Sequence, residues 1–137
     1  MAPRLIASLV VVGAVGCVRG PSLESYVIEL HEHAGGAAQE CGVVHRGQPP
    51  ASALNCAKAA LVAKRPFFVS FQVMGIDSQV YVGLVLTKQG ATELGTWDSD
   101  VWGGSRLWTE HKTSWRECLS PALSVTDGEV DVACGGE

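Results

Sequence analysis

The strongest constraint on the fold is a run of alternating residues in the middle of the chain. In the segment 67–74 (FFVSFQVM), bulky apolar residues stand at every second position, and 80–86 (VYVGLVL) has the same period. Gly75–Ser78 separates the two segments, and Lys88–Gly90 turns the chain again into Ala91–Trp97. A period of two is typical of strands, and short turns join antiparallel strands. The centre of the chain therefore predicts an antiparallel β-meander.

The segment Pro50–Arg65 just before this meander predicts a helix. It is rich in alanine, which has the highest helix propensity, and Ser52 is a candidate N-cap residue. Pro66 stops the helical pattern. The helix has one narrow apolar stripe, which consists of Leu54, Ala57, Ala60 and Leu61. The small alanine side chains would let the helix approach a sheet closely.

The segments before this helix have weaker patterns. Ser25–His33 (SYVIELHEH) alternates, which predicts a half-buried strand. A helix is the alternative for this segment, because Leu23, Val27 and Leu30 also have helical spacing. The glycine-rich segment Ala34–Gln48 is interpreted as a loop.

The C-terminal part predicts two further β elements. A looser strand is expected at Arg106–Lys112, after the glycine pair at 103 and 104. Asp127–Gly128 is a strong hairpin signal between Ala122–Thr126 and Glu129–Cys134. Hairpins that follow one helix favour an α+β fold, with one helix packed on an antiparallel β-meander.

The chain contains five cysteines, which is an odd number. Cys41 precedes the predicted helix that holds Cys56, and a bridge between them would stabilise the fold by about 3 kcal/mol. Cys118 and Cys134 flank the predicted hairpin, so a second bridge would close its open end. Two other pairings are open to four cysteines, and metal binding is a further alternative that lacks the usual CxxC spacing.

The first sixteen residues have the layout of a secretory signal peptide. Arg4 is followed by the uncharged run Leu5–Val15, which is shorter than the roughly 20 residues of a membrane span. The small residues Ala14 and Gly16 precede Cys17 as a cleavage site requires. The alternative is a buried N-terminal strand or helix. Export would expose the cysteines to an oxidising compartment, where thiols tend to pair.

The four residues AVGC that end in Cys17 resemble the lipobox of bacterial lipoproteins. This resemblance implies that Cys17 receives a diacylglycerol and becomes the N-terminal, membrane-anchored residue. The protein would then incorporate palmitate as one of its acyl chains. Val18 after the cysteine implies sorting to the outer membrane. The usual leucine of the lipobox is Ala14 here, and ordinary signal peptidase is the alternative enzyme for the same cut. Lipidation of Cys17 would leave an even number of cysteines for the body.

This interpretation divides the chain into a signal peptide (1–16), a lipidated tether (17–22) and a single domain (23–137). The overall plan resembles small envelope lipoproteins of GC-rich Gram-negative bacteria, a resemblance that implies no activity. Removal of 1–16 takes away Arg4 and no acid, so the formal charge changes from −4 to −5. Nucleic-acid binders concentrate Lys and Arg, so no nucleic-acid partner is expected.

Four tryptophans crowd into a short stretch and form a candidate ligand platform: Trp97, Trp102, Trp108 and Trp115. Beside acids such as Asp98 they would suit sugar rings or a partner protein. The favoured interpretation is that they fill the core of a small sheet and hydrogen-bond their indole N–H groups there.

Two further sets of residues have metal-ligand chemistry. Glu29, His31 and His33 would share one face of a strand and offer zinc or copper ligands, although a solvated polar face is the favoured interpretation. Asp98 and Asp100 suit calcium but lack the glycine and closing glutamate of an EF-hand. No cofactor and no metal are therefore expected.

Enzyme motifs such as GxSxG, HExxH, the P-loop and SxxK are missing from the sequence. We therefore expect a non-enzymatic, lipid-anchored envelope protein with an interaction or structural role. The alternative is a module that binds an envelope glycan through the Trp97–Trp115 region. A metal-binding or enzymatic lipoprotein is the third hypothesis.

Overall fold

The computed structural model describes residues 17–103 and 108–135, so the predicted signal peptide lies outside it. The described part contains two helices, α1 (Leu23–Ala34) and α2 (Ala51–Val62). Its strands are β1 (Cys17–Arg19), β2 (Gln39–Val44), β3 (Phe67–Val73), β4 (Val80–Leu86), β5 (Thr92–Asp98), β6 (Trp108–Glu110), β7 (Lys112–Glu117), β8 (Pro121–Thr126) and β9 (Glu129–Cys134).

The centre of the fold is a five-stranded sheet in the order β2-β3-β4-β5-β7. The predicted meander is confirmed, because β3 pairs antiparallel with β4 and β4 with β5, in continuous register. β2 pairs parallel with β3, and α2 makes the crossover that a parallel pair requires.

The alternation along the meander distributes its side chains between two apolar cores. Phe67, Val69 and Phe71 pack with the alanines of α2 on one face of the sheet. Phe68 packs with Tyr26 and other α1 residues on the opposite face. The protein is therefore an α+β domain, as predicted. The prediction had one helix on the meander, whereas the structure has a helix on each face of the sheet.

The predicted strand at 25–33 is wrong, because these residues belong to helix α1. Ser22 caps the helix by accepting a hydrogen bond of 3.1 Å from the Ser25 backbone N–H. Tyr26, Leu30 and Ala34 repeat every fourth residue and are all fully buried, as one face of a helix requires. Ile28, which strand alternation would have placed beside Tyr26, is 53% exposed.

The predicted loop at 34–48 contains strand β2, which pairs with β3 through a register shift between Glu40 and Val43. Its partly exposed QECGVV sequence lacks a period-two apolar pattern. The partner strand and the Cys41–Cys56 disulfide hold it in place.

Helix α2 lies within the predicted segment 50–65. Its buried side is Ala53, Leu54, Ala57 and Ala60, close to the predicted stripe. The predicted N-cap is wrong: Pro50 is the cap residue and no side chain caps the helix. Pro50 nevertheless suits a helix start, where a missing N–H costs nothing.

The C-terminal hairpin is confirmed, with Thr126 opposite Glu129 across the Asp127–Gly128 turn. It packs on the α2 side of the sheet through Leu123 and Val132. Both predicted disulfides are confirmed, since Cys118 bonds to Cys134 as Cys41 does to Cys56.

The last strands differ from expectation in position. Of the predicted strand at 106–112, residues 106 and 107 lie outside the described residues, and β6 covers 108–110. Strand β7 was not predicted and forms one edge of the five-stranded sheet. The segment interpreted as a tether contains β1, which pairs parallel with β6. Within the described ranges, neither helix has the length and apolar character needed to cross a bilayer.

Candidate functional site

Cys17 stands apart from the other cysteines. Of the cysteines in the described ranges it alone is free, and it is exposed. It is the first residue of β1, where it lies opposite Trp108, while Arg19 lies opposite Glu110. The His111 backbone N–H donates a hydrogen bond of 2.7 Å to the Arg19 carbonyl, which ties β1 to the chain after β6.

A tightly hydrogen-bonded loop lies on the other side of β6, and we call residues 98–103 the tryptophan loop. The Asp98 carboxylate accepts a bond of 2.9 Å from the Asp100 N–H, and the Asp100 carboxylate accepts one of 3.3 Å from the Trp102 N–H. The Val101 N–H donates to the Glu110 carbonyl at 3.1 Å. The loop is therefore ordered by its own aspartates and by β6.

Trp102 is exposed but held in position. Its side chain is 56% exposed, and its indole N–H donates a hydrogen bond to the Glu110 carboxylate. This bond directs the indole N–H toward β6. An exposed tryptophan with a restrained ring is a common feature of binding surfaces.

The turn between β3 and β4 lies next to the tryptophan loop. A depression of about 420 Å³ separates them and is lined by Ile76, Asp77 and Val101 among others. Ile76 is 99% exposed and Met74, which also lines the depression, is 62% exposed. Val101 and Gly103 of the tryptophan loop also line the depression, and Trp102 lies between them in the chain. We call Met74, Ile76 and Trp102 together the apolar rim. Sequence reasoning did not assign Met74 and Ile76 to a site. Met74 ends the alternating segment 67–74 and Ile76 lies in the following turn, and neither position carries a signal for a surface role.

Trp97 is a core residue. It is 3% exposed, and its indole N–H donates a bond of 2.8 Å to the Pro21 carbonyl. Its ring contacts Tyr81 and His111 edge-on, with centroids 6.0 Å and 5.2 Å away. This environment agrees with the core interpretation and removes Trp97 from any surface platform.

Trp115 is covered on two sides. His33 stacks on it with ring centroids 3.8 Å apart and planes 8° from parallel. Its six-membered ring also packs so closely over Gly95 that a Cβ there would lie 2.8 Å from it. The indole N–H donates to the Glu29 carboxylate at 3.1 Å. Trp97, Trp102 and Trp115 thus occupy three different environments, and the side chain of Trp108 lies outside the described part.

The structure does not bring Glu29, His31 and His33 together as a strand would. The helix directs Glu29 and His33 toward Trp115, while His31 contacts the edge of Phe68. His33 Nδ1 lies 2.5 Å from the Glu93 carboxylate. In the ranges 17–103 and 108–135, no three His, Cys, Asp or Glu residues are grouped to hold a metal ion.

The sequence also gave no signal for a polar network around Tyr81. His45 Nδ1 lies 2.6 Å from the Tyr81 hydroxyl, which donates to the Gln72 side chain at 3.2 Å. Burial raises the pKa of the Tyr81 phenol above its ordinary value. These contacts link the end of β2 to β3 and β4, so the network supports the fold.

These features define a disulfide-linked α+β domain with a free cysteine at its first strand and an apolar rim nearby. The chain matches no protein-family model, no curated protein and no solved structure.

Proposed function

We propose that this chain is a non-enzymatic, lipid-anchored protein of the cell envelope with an interaction or structural role. The observation that carries the proposal is the division of the cysteines. Cys118 pairs with Cys134 and Cys41 with Cys56, while Cys17 is free and exposed. In the sequence, Cys17 follows the apolar run Leu5–Val15 after one residue. Disulfides are typical of exported proteins. Cys17 also ends the sequence AVGC, which resembles the lipobox, and the cysteine of a lipobox is the residue that is acylated.

The anchor would hold the exported domain at the membrane. One acyl chain binds membranes only marginally, whereas several chains hold a protein firmly. By resemblance to other lipoproteins, Cys17 would carry three chains, and Val18 would direct the protein to the outer membrane. The body would then act at the membrane surface, as a binding or structural component.

Glycan binding is the alternative, and the described side chains support it less. A sugar ring stacks on a free aromatic face, but Trp97 is buried and Trp115 lies between His33 and Gly95. Trp102 alone among these three is largely exposed. A platform of several coplanar rings therefore has no support in the described residues.

The test is palmitate labelling combined with fractionation in a Gram-negative host. The wild-type protein should incorporate labelled palmitate and stay in the membrane fraction in high salt, since salt does not screen hydrophobic anchoring. Cys17→Ser should lose the label and become soluble. As a matched control, Cys118→Ser with Cys134→Ser should keep the label, because those cysteines are not the acceptor. A soluble, unlabelled wild-type protein would refute the anchor.

The interaction role needs a separate measurement. Crosslinking in intact envelopes with the native lipidated protein should capture a small number of discrete partners. A protein that is always recovered as an uncrosslinked monomer would count against an interaction role.

A further inference from the structure

We propose that the apolar rim formed by Met74, Ile76 and Trp102 inserts at the boundary between the headgroups and the hydrocarbon of the membrane that holds Cys17. This inference rests on the proposed lipid anchor and adds an orientation to it. The domain would sit on the membrane with one defined surface instead of swinging on a free tether.

The first step of the argument is the position of Cys17 within β1. Cys17 belongs to a strand that pairs with β6 over all three of its residues. The glycerol of a lipidated Cys17 would lie at the boundary between headgroups and hydrocarbon. The protein surface around β1 must then lie close to the headgroups.

The second step is the short distance from β1 to the tryptophan loop. β6 lies between them, because His111 donates to Arg19 on one side and Val101 donates to Glu110 on the other. Adjacent extended segments are about 4.8 Å apart, so β1 and Val101 are separated by roughly 10 Å. Trp102 follows Val101 and bonds to Glu110, which is opposite Arg19 in β1.

The third step is the chemistry of the rim. Tryptophan is enriched where membrane meets water, because its ring is apolar and its N–H is polar. Trp102 is 56% exposed with its N–H already bonded, and Ile76 is almost fully exposed. Val18, next to the anchor itself, is 60% exposed. Large exposed apolar residues are typical of interaction surfaces. These residues lie on the β3–β4 turn, on the tryptophan loop and on β1, and the anchor on β1 would bring the membrane close to them.

The charges beside the rim decide which membrane suits it. Asp77 and Asp98 line the same depression as Ile76, and Glu110 holds the Trp102 ring. Two basic residues lie close to these acids in the strand register, Arg19 opposite Glu110 and Lys112 opposite Asp98. Among the described residues the acids still outnumber the bases, which gives no attraction to anionic lipids, so the contact depends on the anchor and on apolar insertion.

The experiment uses the lipidated protein reconstituted in phosphatidylcholine vesicles with brominated acyl chains, which quench tryptophan emission on contact. The comparison is made in a Trp108→Phe background, because Trp108 lies opposite the anchored Cys17. The emission of that protein should be quenched, and adding Trp102→Phe should remove most of the quenchable signal. Trp115→Phe is the matched control and should keep it, because Trp115 lies beneath His33 on the α1 side. Ile76→Asp, a change at a fully exposed position, should reduce quenching of Trp102 without affecting the fold.

The result that would overturn the proposal is quenching that is unchanged by Trp102→Phe. If Trp102 emission instead changes with protein concentration, a second copy occupies the rim and the proposal is also wrong. A second arm couples the free Cys17 thiol of unlipidated protein to a maleimide lipid in the same vesicles. If Trp102 is quenched in the maleimide-coupled protein while palmitate labelling fails in cells, that result would refute the lipid anchor but not the orientation of the apolar rim toward the membrane. Labelling without Trp102 quenching would refute the orientation alone.

Discussion

The phenol of Tyr26 donates a hydrogen bond of 3.0 Å to the backbone carbonyl of Gly95, which joins helix α1 to strand β5 within an apolar core. Gly95 lies opposite Gly83 in the sheet. A Cβ at Gly83 would lie 2.5 Å from the Tyr26 hydroxyl, so the absence of a side chain there makes room for the phenol. The position of α1 on the sheet therefore depends on a buried polar contact at a pair of glycines.

The first prediction is that Tyr26→Phe destabilises the fold. The change removes a buried donor and leaves the Gly95 carbonyl without it, which costs about 1–3 kcal/mol. Urea denaturation should report that loss in the free energy of unfolding. Ile28→Ala, in the same helix but 53% exposed, is the control and should change stability by less than about 0.5–1 kcal/mol. Equal effects of the two changes would mean that the Tyr26 contact contributes nothing.

The second prediction concerns alkaline pH. Burial, the largest cause, raises the pKa of Tyr26 far above its ordinary value of 10.0. The folded state therefore keeps the phenol protonated when the unfolded chain releases its proton. The stabilisation is present below pH 10 and is lost as the pH rises beyond it. The free energy of unfolding should decline above that pH, and the decline should be smaller in Tyr26→Phe. A flat profile in the wild type would contradict the burial of the phenol.

The third prediction concerns the disulfides. Non-reducing mass spectrometry should recover the pairs Cys41–Cys56 and Cys118–Cys134, which span 15 and 16 residues. Replacing both members of either pair with alanine should cost about 3 kcal/mol by chain entropy. Loss of Cys41–Cys56 should free β2, whereas loss of Cys118–Cys134 should free the base of the C-terminal hairpin. Hydrogen exchange distinguishes the two outcomes, and free thiols at these positions would refute the pairing.

The parts of the fold that the sequence predicted are those with strong local patterns. Alternation along β3 and β4, the alanine-rich helix α2 and the Asp127–Gly128 turn each have a signal within a few residues. The strand prediction for 25–33 failed because the segment fits two patterns equally well. A strand would put Tyr26, Ile28 and Leu30 on one face, and a helix would put Tyr26, Leu30 and Ala34 on one face. The sheet decided between the two, since only the helix buries Ala34 and exposes Ile28.

The elements that sequence reasoning missed depend on distant partners. β2 is a polar segment that pairs with β3. The pairing is possible because α2 connects the two strands and brings the chain back so that β3 runs parallel to β2. β7 carries Lys112, Arg116 and Glu117 on a sheet edge, where charges protect against unwanted pairing. The candidate surface has the same origin. Trp102 was named from its type, whereas Met74 and Ile76 lie in the β3–β4 connection, across the depression that Val101 and Gly103 also line.

The last prediction concerns His33, which the sequence offered as a metal ligand and the structure places on Trp115. Its stack on that ring should contribute about 1 kcal/mol, whereas its bond to Glu93 is partly exposed and should contribute little. His33→Ala should therefore destabilise the fold, while His33→Phe, which keeps a stacking ring, should retain most of the stability. Thermal denaturation of both variants separates the two contributions. Equal loss in His33→Ala and His33→Phe would show that the hydrogen bond to Glu93 in β5, and not the stack on Trp115 in β7, holds the end of α1 on the sheet.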